Sequence, residues 1–323
     1  MKKLLALALC LIVALGAFGC ATEEVLLSVN PTCWTAGQKT YESVYEKSTF
    51  EVVKKNSAGE EVAKGTLSYT LEFDSKSDEE PKFVYNRLIT DFTITYNDNA
   101  KPADKGKTDT ITSKCVFNAS VLLPTYSEKT VTLADRDGIA NDSYHIENDY
   151  LKKTSVLTWT KSGQQNTLKK FKGQQSDVYD NEMLYYLIRA ISDIKPGAST
   201  VSINVANPFE SHIGGKYATY PFNCTTSAEG KDEALSYPSL ASFVGNETGA
   251  LSAMSVNLTL NQAKESGPSI TLKYSTTPFK VSDTANNERV LVYISTVEYD
   301  IITAEKAFVT EYTLKDYSIT PQA

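Results

Sequence analysis

The stretch "YDNEMLYYLIRAI", Tyr179–Ile191, decides how the rest of the chain folds. Met183, Leu184, Leu187, Ile188 and Ile191 recur at the three- and four-residue spacing that gathers side chains on one helical face. Asp180 stands just before this stripe, where a carboxylate caps free backbone N–H groups. The segment "KPG", Lys195–Gly197, ends it, because proline cannot continue a helix. The spacing predicts one amphipathic helix over about residues 178–193.

On either side the period changes to two. "STFEVVKK" and "KGTLSYTLEF" place Phe50 and Val52, then Leu67, Tyr69, Leu71 and Phe73, on one face each, and the turn "NSAGEE" joins them as a hairpin. "FVYNRLITDFTITYN" and "TITSKCVFNASVLL" continue the alternation, and "SVLTWTKSGQQNTLKKF" reads as a second hairpin turning at Ser162–Gln165. Six more such runs follow the helix. Alternation of this kind is the mark of antiparallel strands with one buried face. The count comes to about ten to twelve strands, with no fixed-period repeat. The expected fold is mainly β: a large curved antiparallel sheet, or incomplete barrel, wrapped around the one helix. A helix alone among so many strands must bury its stripe against the sheet.

The first residues read as an address. Lys2 and Lys3 precede an uncharged apolar run, Leu4–Phe18, which ends at Gly19–Cys20. That is the pattern of a secretory signal, and the run is shorter than the roughly 20 residues a membrane span needs. "AFGC" resembles a bacterial lipobox, in which the cysteine is lipidated and becomes the new N-terminus, although Ala17 stands where leucine is usual. The expected organisation is a signal over 1–19, a tether over 20–40 and a single β-rich domain over 41–323. The expected location is the bacterial cell envelope, outside the cytoplasm, with the protein anchored to a membrane through Cys20.

Processing there leaves 304 of the 323 residues, with 30 basic against 39 acidic side chains and a net charge of −9. Nucleic acid is excluded as an expected partner, since binding it requires a basic surface. Cys33, Cys115 and Cys224 remain, an odd number that permits at most one internal disulfide. A bridge and three separate thiols are equally open.

The order Asp180, Tyr186, Arg189, followed by "IKPG" and a fresh strand, resembles an uncharacterised bacterial envelope family. Its helix reads roughly Asp-Pro-Leu-Ser, then small and apolar residues, then Tyr-Tyr-Leu-Arg. That family is similar to the lipoprotein-localisation carriers, in which an incomplete antiparallel barrel surrounds helices and holds acyl chains. Here Asn181 replaces the proline and Met183 the serine, and the match centres on residues 179–200. The resemblance implies binding of an apolar ligand or an envelope protein without catalysis. The carriers' ligand contacts have no matching motif in these strands.

Candidate pocket-lining residues are Tyr185 and Tyr186, at least one of which lies off the apolar stripe, together with Arg189 and Trp159. Tyrosine suits a half-wet wall, with its apolar ring and polar tip. The simpler reading of Arg189 is a structural pair with a carboxylate.

Catalytic patterns are sparse. His145 and His212 are the two histidines of the chain, and no nucleophile elbow, phosphate-cradling loop or zinc-protease motif occurs. In "LADRDGIANDSYHIEND", Asp135, Asp137 and Gly138 imitate the middle of a calcium loop, but Leu133 and Tyr144 occupy positions that need oxygen ligands. The segment reads as a polar turn. No metal, cofactor or catalytic residue is expected. Two other classes stay open: a surface adhesion or glycan-binding module, and a hydrolase built on an unrecognised carboxylate pair. If Cys20 is the anchor, wild-type protein should incorporate a radiolabelled fatty acid in its bacterial host, and Cys20→Ala should abolish the label.

Overall fold

The computed structural model describes residues 43–74, 85–118, 121–135, 143–169, 178–191, 194, 200–215, 219–226, 233–260, 269–280, 286–287, 289–299 and 306–322. The expected signal and tether lie outside them, and with them Cys20, Cys33 and Trp34; so does the "KPG" stop.

The chain opens with an eight-strand meander, each strand paired antiparallel with the next. Its members are β1 (Ser43–Asn56), β2 (Glu61–Asp74), β3 (Tyr85–Tyr96), β4 (Thr108–Asn118), β5 (Pro124–Thr132), β6 (Tyr144–Asp149), β7 (Thr154–Trp159) and β8 (Gln165–Lys169). A crossover follows: β9 (Val178–Asp180), a 3-10 turn at Asn181–Met183, and helix α1 (Leu184–Ala190). Next come β10 (Thr200–Ala206), α2 (Pro208–Gly214), β11 (Thr219–Thr226) and β12 (Glu233–Ser236). A 3-10 turn at Pro238–Leu240 runs into α3 (Ala241–Val244). The chain ends with β13 (Ala250–Leu260), β14 (Ser269–Ser275), a small hairpin of β15 (Phe279–Lys280) and β16 (Asn286–Asn287), then β17 (Leu291–Tyr299) and β18 (Lys306–Gln322).

All but the small hairpin belong to one sixteen-stranded sheet, ordered β8-β7-β6-β5-β4-β3-β2-β1-β18-β17-β14-β13-β11-β10-β9, with β12 added beside β13. The last strand lies against the first through the middle of the sheet, from Ser43↔Gln322 to Asn56↔Phe308. Among the described residues, only β9 and β10 pair in parallel. Strands β8 and β9 end the path without pairing to each other, so among the described residues the sheet is not closed into a barrel.

The crossover shows that the sheet curls. Asp180 accepts a hydrogen bond from Ser127 on β5, and the Tyr185 carbonyl accepts one from Tyr274 on β14. At about 4.8 Å per strand, the seven steps from β5 to β14 would span about 34 Å if flat. Wound into a 3-10 turn and the start of α1, the five residues between these anchors advance only about 10 Å, and the anchoring side chains do not make up the difference. The two strands therefore face each other across α1. Inner positions of β1 (Glu46, Ser48, Phe50, Val52) are buried while Lys47 and Glu51 between them are exposed. The stripe on α1 closes the core: Met183, Leu187 and Ile191 are fully enclosed, and Ile188 nearly so.

Three sequence expectations change. The helix is shorter than residues 178–193: residues 178–180 pair as a strand, Asp180 caps the backbone N–H of Glu182, and Ile191 is already extended. Arg289 donates to the Ile191 carbonyl at 2.7 Å, satisfying one of the acceptors left at that helix end. Nor is α1 alone. In α2 the Asn207 side chain caps Glu210 N–H, Pro208 starts the helix, and Gly215 ends it at φ 64°, a backbone angle glycine adopts without strain. Finally, the segment read as a polar turn contains β6, and β5 forms from a stretch for which no element was expected.

Replacing Leu187, which is fully enclosed, by alanine should cost about 2–5 kcal/mol. A lower denaturant midpoint with unchanged slope would register it.

Candidate ligand cleft

The inner face changes character along the sheet. Around β1 to β3 it carries Phe50, Leu67, Tyr69, Leu71 and Leu88; around β5 to β7 it carries Ser127, Lys129, Asn148 and Ser155. The crossover enters over this polar part. Buried Asp180 accepts from Ser127 Oγ at 2.6 Å and from the Tyr150 hydroxyl, and its other oxygen takes the backbone N–H of Glu182 at 2.7 Å. Burial, and then the neighbouring Glu182, push the Asp180 carboxyl above its ordinary range.

The hydrogen bonds run on from there. Asn148 Nδ2 donates to Ser127 Oγ at 2.9 Å, and its Oδ1 accepts from Ser155 Oγ at 2.7 Å. The single Ser155 hydroxyl proton is thereby committed, so His212 Nε2, 2.8 Å away, must be the donor in that contact. His212 Nδ1 is then an unprotonated acceptor, buried with no partner. Burial pushes this imidazole down, which keeps it neutral.

Lys129 and Glu182 pair at 2.9 Å, with side chains 22% and 17% exposed. Burial opposes both charges, and each partner more than offsets it: the ammonium is held above its ordinary range and the carboxyl below. This pair, with Asn181, lies where two clefts meet. The larger, about 250 Å³, runs between α1 and the sheet and is walled by Leu67, Tyr69, Thr90, Phe92, Ile111, Leu184, Tyr185, Ile270 and Tyr312. The smaller, about 160 Å³, is walled by Ser127, Tyr144, Ile146, Asn148, Asp180, Asn207, Pro208 and Phe209. Tyr144 and Phe209 stack at 4.4 Å, and Trp159 stands edge-on to both, at 6.4 and 5.8 Å.

Of the four candidate pocket residues, Tyr185 lines the larger cleft. Tyr186 and Arg189 line neither cleft and are 2% and 1% exposed. Tyr186 packs on Tyr69 at 5.2 Å, and Arg189 donates to Glu46 on β1 at 2.8 Å, both side chains being 1% exposed. Trp159 stands behind the smaller cleft rather than in its wall. Lys129, Glu182, Asn181 and Phe209 carried no apolar periodicity and were missed. The one sequence signal among them was "NPFESHIGG", an asparagine cap and a glycine stop around α2.

Cys115 is a free thiol in the core, raised well above its ordinary range by burial. His145 lies on the outer face, between Thr130 and Glu147. Among the described residues no cluster of three or more metal-ligating side chains occurs, and no helix is long and apolar enough to cross a membrane.

Against this geometry stand the likenesses to solved structures. A beta-barrel-like protein of a domain of unknown function, DUF1849, from Brucella abortus is 9% identical, with 88% of this chain and all of that chain covered, at a TM-score of 0.49. A protein from Parabacteroides distasonis, described provisionally as a lipoprotein, is 12% identical over 87% of this chain and 96% of its own, at a TM-score of 0.23. A DUF1329 family protein from Desulfovibrio piger is 9% identical over 86% of each chain, at 0.18. Identities this low speak to fold alone. No protein-family model matches the chain, and no curated protein does.

Arg189→Met should remove the guanidinium that faces the buried Glu46 carboxylate and cost about 3–5 kcal/mol. Combining it with Glu46→Leu should recover most of that loss, which a double-mutant cycle of unfolding free energies would measure.

Proposed function

We propose that the protein is a lipid-anchored envelope protein that holds one small apolar or amphipathic molecule between α1 and its curled sheet, by binding rather than catalysis. The observation that carries this reading is the larger cleft, walled mostly by aromatic and aliphatic side chains and charged only where it meets Lys129 and Glu182. Sites for small molecules have this make-up, apolar walls with a few polar groups that orient the ligand. Its volume of about 250 Å³ is just below the usual range of about 300–1,000 Å³. That size suits a single short chain or a ring system and is too small for several acyl chains at once.

Two further observations support the reading. The titratable groups at the cleft are matched internally, Glu182 to Lys129 and Asp180 to three donors, which suits a passive wall better than a proton-transfer site. Lys2, Lys3, the apolar run and Cys20 support a membrane anchor in the bacterial envelope.

An uncharged fluorophore, N-phenyl-1-naphthylamine, should brighten on binding the protein. Ile270 stands half-buried in the cleft wall, so Ile270→Trp should fill the space and weaken probe binding. The expected loss is about tenfold, or about 1.4 kcal/mol, with the melting temperature nearly unchanged. Tyr186→Trp, by contrast, should overpack the core and lose about 1–3 kcal/mol of stability. Absence of probe binding by the wild type would remove the reading. Native mass spectrometry of protein purified from its own host would identify a retained ligand directly.

A further inference from the structure

The two clefts adjoin, sharing Lys129, Asn181 and Glu182 in their walls. We propose that together they form one groove for an amphiphile whose head is an uncharged sugar ring, seated in the smaller cleft against Tyr144 and Phe209, with its apolar chain in the larger one. This rests on the apolar-cleft reading above and adds the chemistry of the head.

Charge is the first argument. Among the described residues, Lys129 is the one cation lining either cleft, and Glu182 at 2.9 Å already neutralises it. A phosphate head would place a second anion beside Glu182, with one ammonium to compensate both. A quaternary ammonium would likewise place a second cation beside Lys129. Charge left uncompensated in a poorly solvated site is costly because it keeps its desolvation penalty. Asp180 offers no alternative, since its carboxyl already accepts from Ser127, Tyr150 and the Glu182 backbone. An uncharged head meets neither obstacle.

The second argument is the wall itself. Tyr144 on β6, Trp159 on β7 and Phe209 on α2 converge from three elements into one aromatic cluster. Tyr144 and Phe209 are only partly covered and line the cleft. A pyranose has a face of C–H groups that packs on an aromatic ring, and hydroxyls around its edge that need hydrogen-bond partners. Around these rings stand neutral carboxamides. Asn181 is exposed, and Asn207 uses only its carbonyl oxygen to cap α2, leaving its amide nitrogen outside that contact. The cleft volume of about 160 Å³ equals roughly five waters at about 30 Å³ each. One sugar ring can replace such a set.

The test uses the mature protein and three ligands with the same eight-carbon chain, each titrated calorimetrically below its micelle concentration: octyl glucoside, octyl phosphate and octyltrimethylammonium. The glucoside should bind about tenfold more tightly than either charged ligand. Phe209→Leu, which keeps an apolar side chain but removes the ring, and Asn181→Ala, at an exposed site, should each erase most of that preference. Phe209→Leu, at a residue outside the larger cleft, should not alter binding of N-phenyl-1-naphthylamine. Equal affinities for the three ligands, tighter binding of a charged one, or variants that keep the full preference would overturn the sugar head while the apolar cleft stands. A wild type that binds no naphthylamine would overturn both.

Discussion

Of the contacts that hold the crossover to the sheet, the most enclosed ion pair among the described residues is Arg189 on α1 with Glu46 on β1. That pair fixes which strand the helix lies against. Strand β1 lies at the centre of the sheet, between β2 and β18, so α1 is tied to the middle rather than to an edge. With α1 there, the Asp180 end meets β5 and the Tyr185 carbonyl meets β14. An apolar stripe alone would tolerate sliding by a turn, since burial is non-directional. A buried charge does not, because its partner occupies one place. Such pairs add little net stability, and their best-attested use is to set register. We read this one in that way.

How much of this was legible in the sequence depended on which face carried the signal. The hairpin of β1 and β2 announced itself, because inner positions such as Phe50, Val52, Leu67 and Leu71 alternate with polar ones. The α1 stripe and the Asp180 cap were readable for the same kind of reason. Strands β5 and β6 were not. Their inner positions include Ser127, Lys129 and Asn148, so period-two alternation of hydrophobicity, the very cue that marks a half-buried strand, is weak there. The illegible strands are those that supply the polar end of the groove. Short strands such as β9 and β12, at three and four residues, are too brief to carry a pattern at all.

The same division shapes what the inside of the sheet can do. Where the walls are aliphatic and aromatic, as around Leu67 and Tyr69, the helix packs directly on them. Where they are polar, the crossover must supply complementary groups, and Asp180 and Glu182 do so by capping, pairing and hydrogen bonding at once. These contacts hold the chain away from the sheet in a fixed geometry, which leaves space on both sides of Lys129. His212 marks the far end of the same polar network. It carries a buried nitrogen lone pair that no described donor meets, a cost accepted only where surrounding packing dictates the geometry.

The pairing of β1 with β18 has a consequence in time. The two strands at the middle of the sheet are the first and last of the described chain, and their partner residues are more than 250 positions apart, as in Ser43 with Gln322. Contacts so distant in sequence are slow to form, because the loop they close must lose its freedom first. Each half can begin to zip along its own meander, but neither finds its central neighbour until the final strand has emerged from the ribosome. Until then the polypeptide is a pair of unfinished sheets with open edges. A chain ordered in this way postpones its own completion, and so stays threadable for as long as it is being made.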